Sequence, residues 1–170
     1  MSLIIKAAQL AEKLHRGVPR KYTGRPYIEH PCRVASRLAT MKIADEDSVA
    51  AAYLHDVIED CGINAEDLTL HLMGLCVKDG SVNLKYCVEY NTPSIRRIVD
   101  LVQWLTNPSK GSSASRAERK QMDREHLRNA PQIVKIIKMI DRIDNLREMT
   151  GADNGFKVKY AAESMLLANV

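Results

Sequence analysis

The stretch AAYLHDVIEDC, residues 51 to 61, reads first as one buried helix. Ala, Tyr, Leu, Val and Ile fill it, with no Gly or Pro to break the chain. Yet His55, Asp56, Glu59 and Asp60 sit inside it. On a continuous helix Asp56 and Asp60 are four residues apart, as are His55 and Glu59, so each pair shares a face. Like charges at that spacing repel. A lone charge in an apolar site costs several kcal/mol unless it is paired or binds a metal. Something positive is therefore expected against Asp56 and Asp60, and a bound cation supplies it more simply than an arginine does.

Helical spacing extends in both directions from this stretch. Leu3, Ala7, Leu10, Ala11 and Leu14 mark a helix over 2–16. HRGVPRKYTGRPYIEHP then packs Gly17, Pro19, Gly24, Pro26 and Pro31 into a basic loop. A helix is expected after Pro31, with Val34, Ala35 and Leu38 inward. The acidic run before Val49 supplies N-cap residues for the opening stretch. Asn64 to Cys76 reads as a short helix, and 77–94 as an irregular or hairpin insertion. SIRRIVDLVQWL, a helix from about 115 to 128, PQIVKIIKMIDRIDNLREM with Pro131 at its start, and GFKVKYAAESMLLAN complete the set. No internal repeat or linker divides them. The expected fold is an all-α compact helical bundle, one domain over 1–170.

Composition narrows the class. The chain has 170 residues, 45% of them apolar, with one Trp and one Phe, which suits a helical core built from Ala, Leu, Ile, Val and Met. A net charge of +4 fits a small anionic partner better than nucleic acid, because the basic residues are scattered and lack interleaved aromatics. Cys32, Cys61, Cys76 and Cys87 form no CxxC pair. The N-terminal stretch lacks the pattern of a signal peptide, and no apolar run reaches membrane-spanning length. A soluble cytoplasmic protein with reduced thiols is expected, with no nucleic-acid or membrane partner; a homo-oligomer is compatible with this reading.

The chemistry gathers in a few places. His30 lies between the basic loop and the next helix, and Asp141 interrupts a second apolar helix, with Asp144 close and Asn145 at i+4. Taken singly, His30 suits a loop, Asp141 suits a pair with Lys138 or Arg142, and a His–Asp dipeptide is common by chance. Together, two imidazoles and two carboxylates make a mixed N/O set suited to Mn²⁺ or a similar divalent ion, zinc included. Lys138 and Arg142 flank Asp141 and read either as added charge or as a solvated face. Tyr160 suits packing, or stacking on a purine. His15 buttresses the basic loop or fills core, His71 and His126 are expected at the surface, and the 109–115 loop reads as a connector or a lid.

In order, HRGVPRKYTGRPYIEHP, AAYLHDVIED, RAERKQ and IIKMIDRIDNLREM resemble motifs of the HD-domain phosphohydrolases. Within them the chain is similar to the hydrolase domain of RelA/SpoT homologues, and most to the small stand-alone alarmone hydrolases. The resemblance spans roughly 1–75 and 95–150. It implies His30, His55, Asp56 and Asp141 as metal ligands, with Mn²⁺ the usual ion. It implies Glu59 and Asp60 as the catalytic pair, Arg20 and Lys21 near the nucleotide and its phosphates, and Asn145 near the ribose. Cys61, Ile140 and Asp144 depart from the family pattern, where Thr, Ala, and His or Tyr are usual. The implied reaction hydrolyses the 3′-diphosphate of (p)ppGpp-type purine alarmones to pyrophosphate and GDP or GTP. Arg142 and Tyr160 are the further substrate-binding candidates. No synthetase or regulatory domain is expected within these 170 residues. Rival readings are a phosphohydrolase of another nucleotide, an adenosine alarmone or a 2′-phosphorylated dinucleotide, and a silent nucleotide sensor.

Overall fold

The computed structural model describes residues 2–74 and 93–169. Helices α1 (Leu3–Leu14), α2 (Glu29–Ala39), α3 (Glu46–Leu54), α4 (Val57–Asp60) and α5 (Ala65–Leu72) come first. Then follow α6 (Pro93–Leu105), α7 (Arg116–Arg128), α8 (Gln132–Glu148), a 3-10 turn at Met149–Gly151 and α9 (Asn154–Ala168). Among the described residues there is no strand beyond one isolated bridge, Pro19 to Pro26. The all-α bundle is as expected; the 77–94 insertion lies outside the described residues except for Pro93 and Ser94, which open α6. Among the described residues no helix is long and apolar enough to cross a membrane.

Local chemistry explains most boundaries. Asp45 with Ser48, Asn64 with Asp67, and Ser115 with Glu118 each form reciprocal capping boxes that satisfy free N–H groups. Pro131 precedes α8, where a missing N–H costs nothing. The helix expected after Pro31 begins at Glu29 instead. Proline is tolerated within a first turn, so it does not mark the start.

Helix α3 lies at the centre, packed against α1, α2 and α6, while α8 bridges α2, α6 and α9. Ala50, Ala51, Ala52 and Leu54 are all fully buried, and the small alanines let neighbouring helices approach closely. On α8, Val134, Ile137, Lys138, Asp141 and Asp144 share the buried side. Two carboxylates thus lie on a core-facing stripe.

The opening stretch is not one helix. α3 ends at Leu54, His55 and Asp56 form a turn, and α4 restarts at Val57. The His55 Nδ1 meets the Ala52 carbonyl oxygen at 2.9 Å and so satisfies a carbonyl of the last turn of α3. The break separates the pairs expected to share a face. His55 turns into the core, whereas Glu59 reaches the α6–α7 connection, its carboxylate accepting from the Asn107 N–H at 2.5 Å.

Candidate active site

Four side chains from three regions converge. The His30 and His55 Nε2 atoms are 3.2 Å apart. Asp141 Oδ1 lies 3.1 Å from His30 Nε2 and 3.7 Å from that of His55. Asp56 Oδ2 lies 2.9 Å from His55 Nε2 and 3.6 Å from that of His30. Each imidazole is oriented from behind. His55 Nδ1 faces a carbonyl, which only accepts, so it carries the proton. His30 Nδ1 donates to Asp144 Oδ2 at 2.7 Å. Both Nε2 lone pairs therefore point at each other and at two carboxylates. The donors of His30, His55 and Asp56 lie within 4.8 Å of one another with Asp141 against both imidazoles, a set that fits a divalent cation.

The electrostatics agree. Burial alone would lower both imidazoles, yet the surrounding carboxylates raise His30 and raise His55 well above the ordinary range. Burial would likewise raise Asp56 and Asp141, but the imidazoles hold both below the usual carboxylate range. The cluster favours positive charge at its centre.

Asp56 and Asp60 also have partners within the chain, and one of them is the positive Lys110. The Tyr27 hydroxyl donates to either carboxylate, with Asp56 Oδ2 at 2.7 Å and Asp60 Oδ2 at 2.9 Å, and Lys110 Nζ reaches Asp60 Oδ1 at 2.9 Å. Lys110 also donates to the Glu59 carbonyl oxygen. The 109–115 connection thus touches the carboxylate pair directly. Tyr27 is held by the turn in which Arg20 N–H meets the Arg25 carbonyl at 2.7 Å and Tyr27 N–H meets that of Val18 at 2.9 Å. Gly24 there has φ 68°, open to glycine without strain. His15 is buried and stacks flat on Tyr27 with centroids 4.5 Å apart, so it buttresses this loop. Burial, then the charges of Asp56 and Asp60, push the Tyr27 phenol far up. Burial also raises Glu59, against the opposing pull of Lys138 and the Asn107 N–H.

A cleft of about 230 Å³ opens beside the cluster, lined by Asp56, Glu59, Asp60 and Asp141 and, among others, by Arg124, Arg142 and Tyr160. A second hollow of about 340 Å³ carries Arg20, Lys21, Tyr22 and Phe156, and shares Tyr27 and Asn145 with the first. Arg20 is already engaged, donating to Glu148 and to Asn145 Oδ1, both at 2.6 Å. Asn145 in turn donates to Asp141 Oδ1 at 2.5 Å. Lys21 is exposed, its Nζ 5.2 Å from the Tyr22 ring centre. Lys138 and Arg142 are buried, not on a solvated face. Lys138 donates to the Leu105 carbonyl at 3.0 Å, and Arg142 lies 3.5 Å from the centre of the Tyr160 ring. His126, expected bare at the surface, donates to the Trp104 carbonyl at 3.0 Å and stacks on that indole.

Sequence reasoning missed Tyr27, Asn107, Lys110 and the role of Asp144. Asp144 holds His30 on one side and accepts the Arg33 fork at 2.8 and 2.9 Å on the other. The signal available was that Asp144 falls three residues after Asp141, on the same buried stripe of α8.

Comparison with known proteins places this arrangement. The HD domain family matches residues 7–167. The chain belongs to the HD domain family. Among its relatives, the guanosine-3′,5′-bis(diphosphate) 3′-pyrophosphohydrolase of Vibrio cholerae is 32% identical over 92% of this chain, which spans 19% of that protein. The guanosine-3′,5′-bis(diphosphate) 3′-pyrophosphohydrolase MESH1 of Xenopus tropicalis is 29% identical over 87% of this chain and 70% of its own length. A solved structure described as a metazoan ortholog of SpoT that hydrolyzes ppGpp superposes with a TM-score of 0.73 at 26% identity. That alignment covers 98% of this chain and 84% of the other. The chain therefore spans about a fifth of the Vibrio relative and most of the compact ones. This HD domain carries the His–Asp pair in the turn between α3 and α4, and the distant Asp on α8.

Proposed function

We propose that this HD domain hydrolyses the 3′-diphosphate of ppGpp-type purine alarmones, releasing pyrophosphate and GDP or GTP in the cytoplasm. The observation that carries the reading is the convergence of His30, His55, Asp56 and Asp141, with Asp56 and Asp141 lining the same cleft as the Glu59–Asp60 pair. The activities named for the relatives support the substrate class.

His30, His55, Asp56 and Asp141 hold a divalent ion, Mn²⁺ in this proposal. When bound, such an ion makes water nucleophilic near neutral pH and screens phosphoryl charge. The remaining work falls to the chain. Tyr27 fixes Asp56 and Asp60 relative to each other, so Asp60 is positioned to orient the attacking water and take its proton. Glu59, raised by burial, holds a proton more readily than an ordinary glutamate and gives it to the departing ribose 3′ oxygen. The nucleoside lies in the second hollow, its ribose by Asn145 and its 5′ phosphates toward Lys21. Arg20, already paired with Glu148, shapes that hollow rather than neutralising phosphate alone.

The test is a hydrolysis panel of ppGpp, ppApp and NADPH with the Mn²⁺-loaded chain, scoring pyrophosphate against orthophosphate. Pyrophosphate from ppGpp, lost in Glu59→Ala, is expected. Turnover of NADPH alone would reject the alarmone reading, and equal turnover in Glu59→Ala would reject the acid assignment.

A further inference from the structure

Most cations near the cleft are already committed. Lys110 is taken by Asp60 and the Glu59 carbonyl. Lys120 pairs with Asp123 at 3.1 Å, and Lys138 with the Leu105 carbonyl at 3.0 Å. Arg142 is held by Ser164 Oγ at 2.9 Å, the Tyr160 carbonyl at 3.2 Å and the Tyr160 ring. Arg20 is held by Glu148 and Asn145. Arg124 differs: it lines the cleft, half-buried, and makes no hydrogen bond, ion pair or ring contact among the described residues. It sits on α7 one turn after Lys120, and its neighbour Asp123 is already neutralised by that lysine. A guanidinium is a rigid fork of donors matched to phosphate oxygens, and leaving it half-dry without an acceptor is unfavourable.

The lining of the same cleft is rich in carboxylate, with Asp56, Glu59, Asp60 and Asp141. A diphosphate entering there adds negative charge beside these carboxylates, more than one divalent ion balances. We propose that Arg124 grips the distal phosphoryl group of the 3′-diphosphate and sets the preference for a diphosphate over a monophosphate at that position. This rests on the hydrolase reading above. In the reaction, the water oxygen bonds to the phosphorus attached to the ribose 3′ oxygen. The bond between that phosphorus and the 3′ oxygen breaks, and the 3′ oxygen takes a proton. The link between the two phosphoryl groups stays intact and leaves as pyrophosphate. Arg124 therefore holds a group whose bonding does not change, and its effect belongs in KM and product affinity more than in kcat.

The experiment compares wild type, Arg124→Gln and Arg124→Lys, all Mn²⁺-loaded. The substrates are guanosine 5′-diphosphate 3′-diphosphate and guanosine 5′-diphosphate 3′-monophosphate. The ratio of kcat/KM for the first over the second is expected to fall about tenfold to a hundredfold in Arg124→Gln, through KM, with Arg124→Lys between. Pyrophosphate affinity, measured by calorimetry, is expected to fall by a similar factor relative to orthophosphate. A ratio within twofold of wild type, or equal losses for pyrophosphate and orthophosphate, overturns the assignment. If wild type turns over neither nucleotide, the hydrolase reading fails separately, and the two inorganic ligands still decide the role of Arg124.

Discussion

Replacing Asp144 with Asn tests the orientation of the proposed metal site from behind. The Asp144 carboxylate accepts from His30 Nδ1 at 2.7 Å and from the Arg33 fork at 2.8 and 2.9 Å. An amide has one acceptor oxygen where the carboxylate has two. If that oxygen faces His30, the amide NH₂ opposes the Arg33 guanidinium, donor against donor. If it faces Arg33, the NH₂ opposes His30 Nδ1–H and favours the other tautomer, which puts a proton on Nε2 and removes its lone pair. Either way the ligand is less well prepared. Losing such a partner typically costs tenfold to a hundredfold in metal affinity, about 1.4–2.7 kcal/mol. The Mn²⁺ affinity of Asp144→Asn, measured by calorimetry with chelator competition, is expected to fall by that factor. Turnover at saturating Mn²⁺ should recover to within a few-fold of wild type. Arg33 keeps Glu148 and, at 3.5 Å, Glu29, so the metal-free protein stays folded. An Mn²⁺ affinity within twofold of wild type would refute the reasoning and leave Asp144 as a packing residue.

Other outcomes follow from the same geometry. Glu59→Gln should lower turnover at least about a hundredfold, while the Asn107 N–H keeps an acceptor; a rate within tenfold of wild type would exclude Glu59 as the acid. Its pH dependence has a definite sign. The folded carboxyl is raised by burial, so its ionisation penalises the fold at neutral pH, and the penalty vanishes as pH falls below the unfolded value near 4.3. Any thermal gain of Glu59→Gln over wild type should thus be present at pH 7 and disappear by about pH 4; a gain growing on acidification would contradict it. Tyr27→Phe keeps the His15 stack but removes the hydroxyl between Asp56 and Asp60. Turnover should drop about tenfold to a hundredfold, and a wild-type rate would mean that the bridge is not used. Leu54→Ala, at a fully buried site beside His55, should cost about 2–5 kcal/mol in denaturant unfolding; a loss under about 1 kcal/mol would mean that the core closes over the gap.

The sequence by itself determined the helical class, most helix ends and the identity of the convergent residues. Caps such as Asn64 with Asp67 and Ser115 with Glu118 are written within three residues, and apolar stripes recur within one or two turns, so both are readable locally. The break between α3 and α4 was not, because nothing in the run of Ala51 to Cys61 forbids a continuous helix. Only tertiary structure turned His55 inward toward His30. It brought Asp144 behind His30 across 114 residues of chain, and Tyr27 between Asp56 and Asp60. It also decided which cations were spent, pairing Arg20 with Glu148 and leaving Arg124 without a partner among the described residues. A side chain's charge is set by its type, but its partner is set by which helices pack together, and that is a property of the whole core.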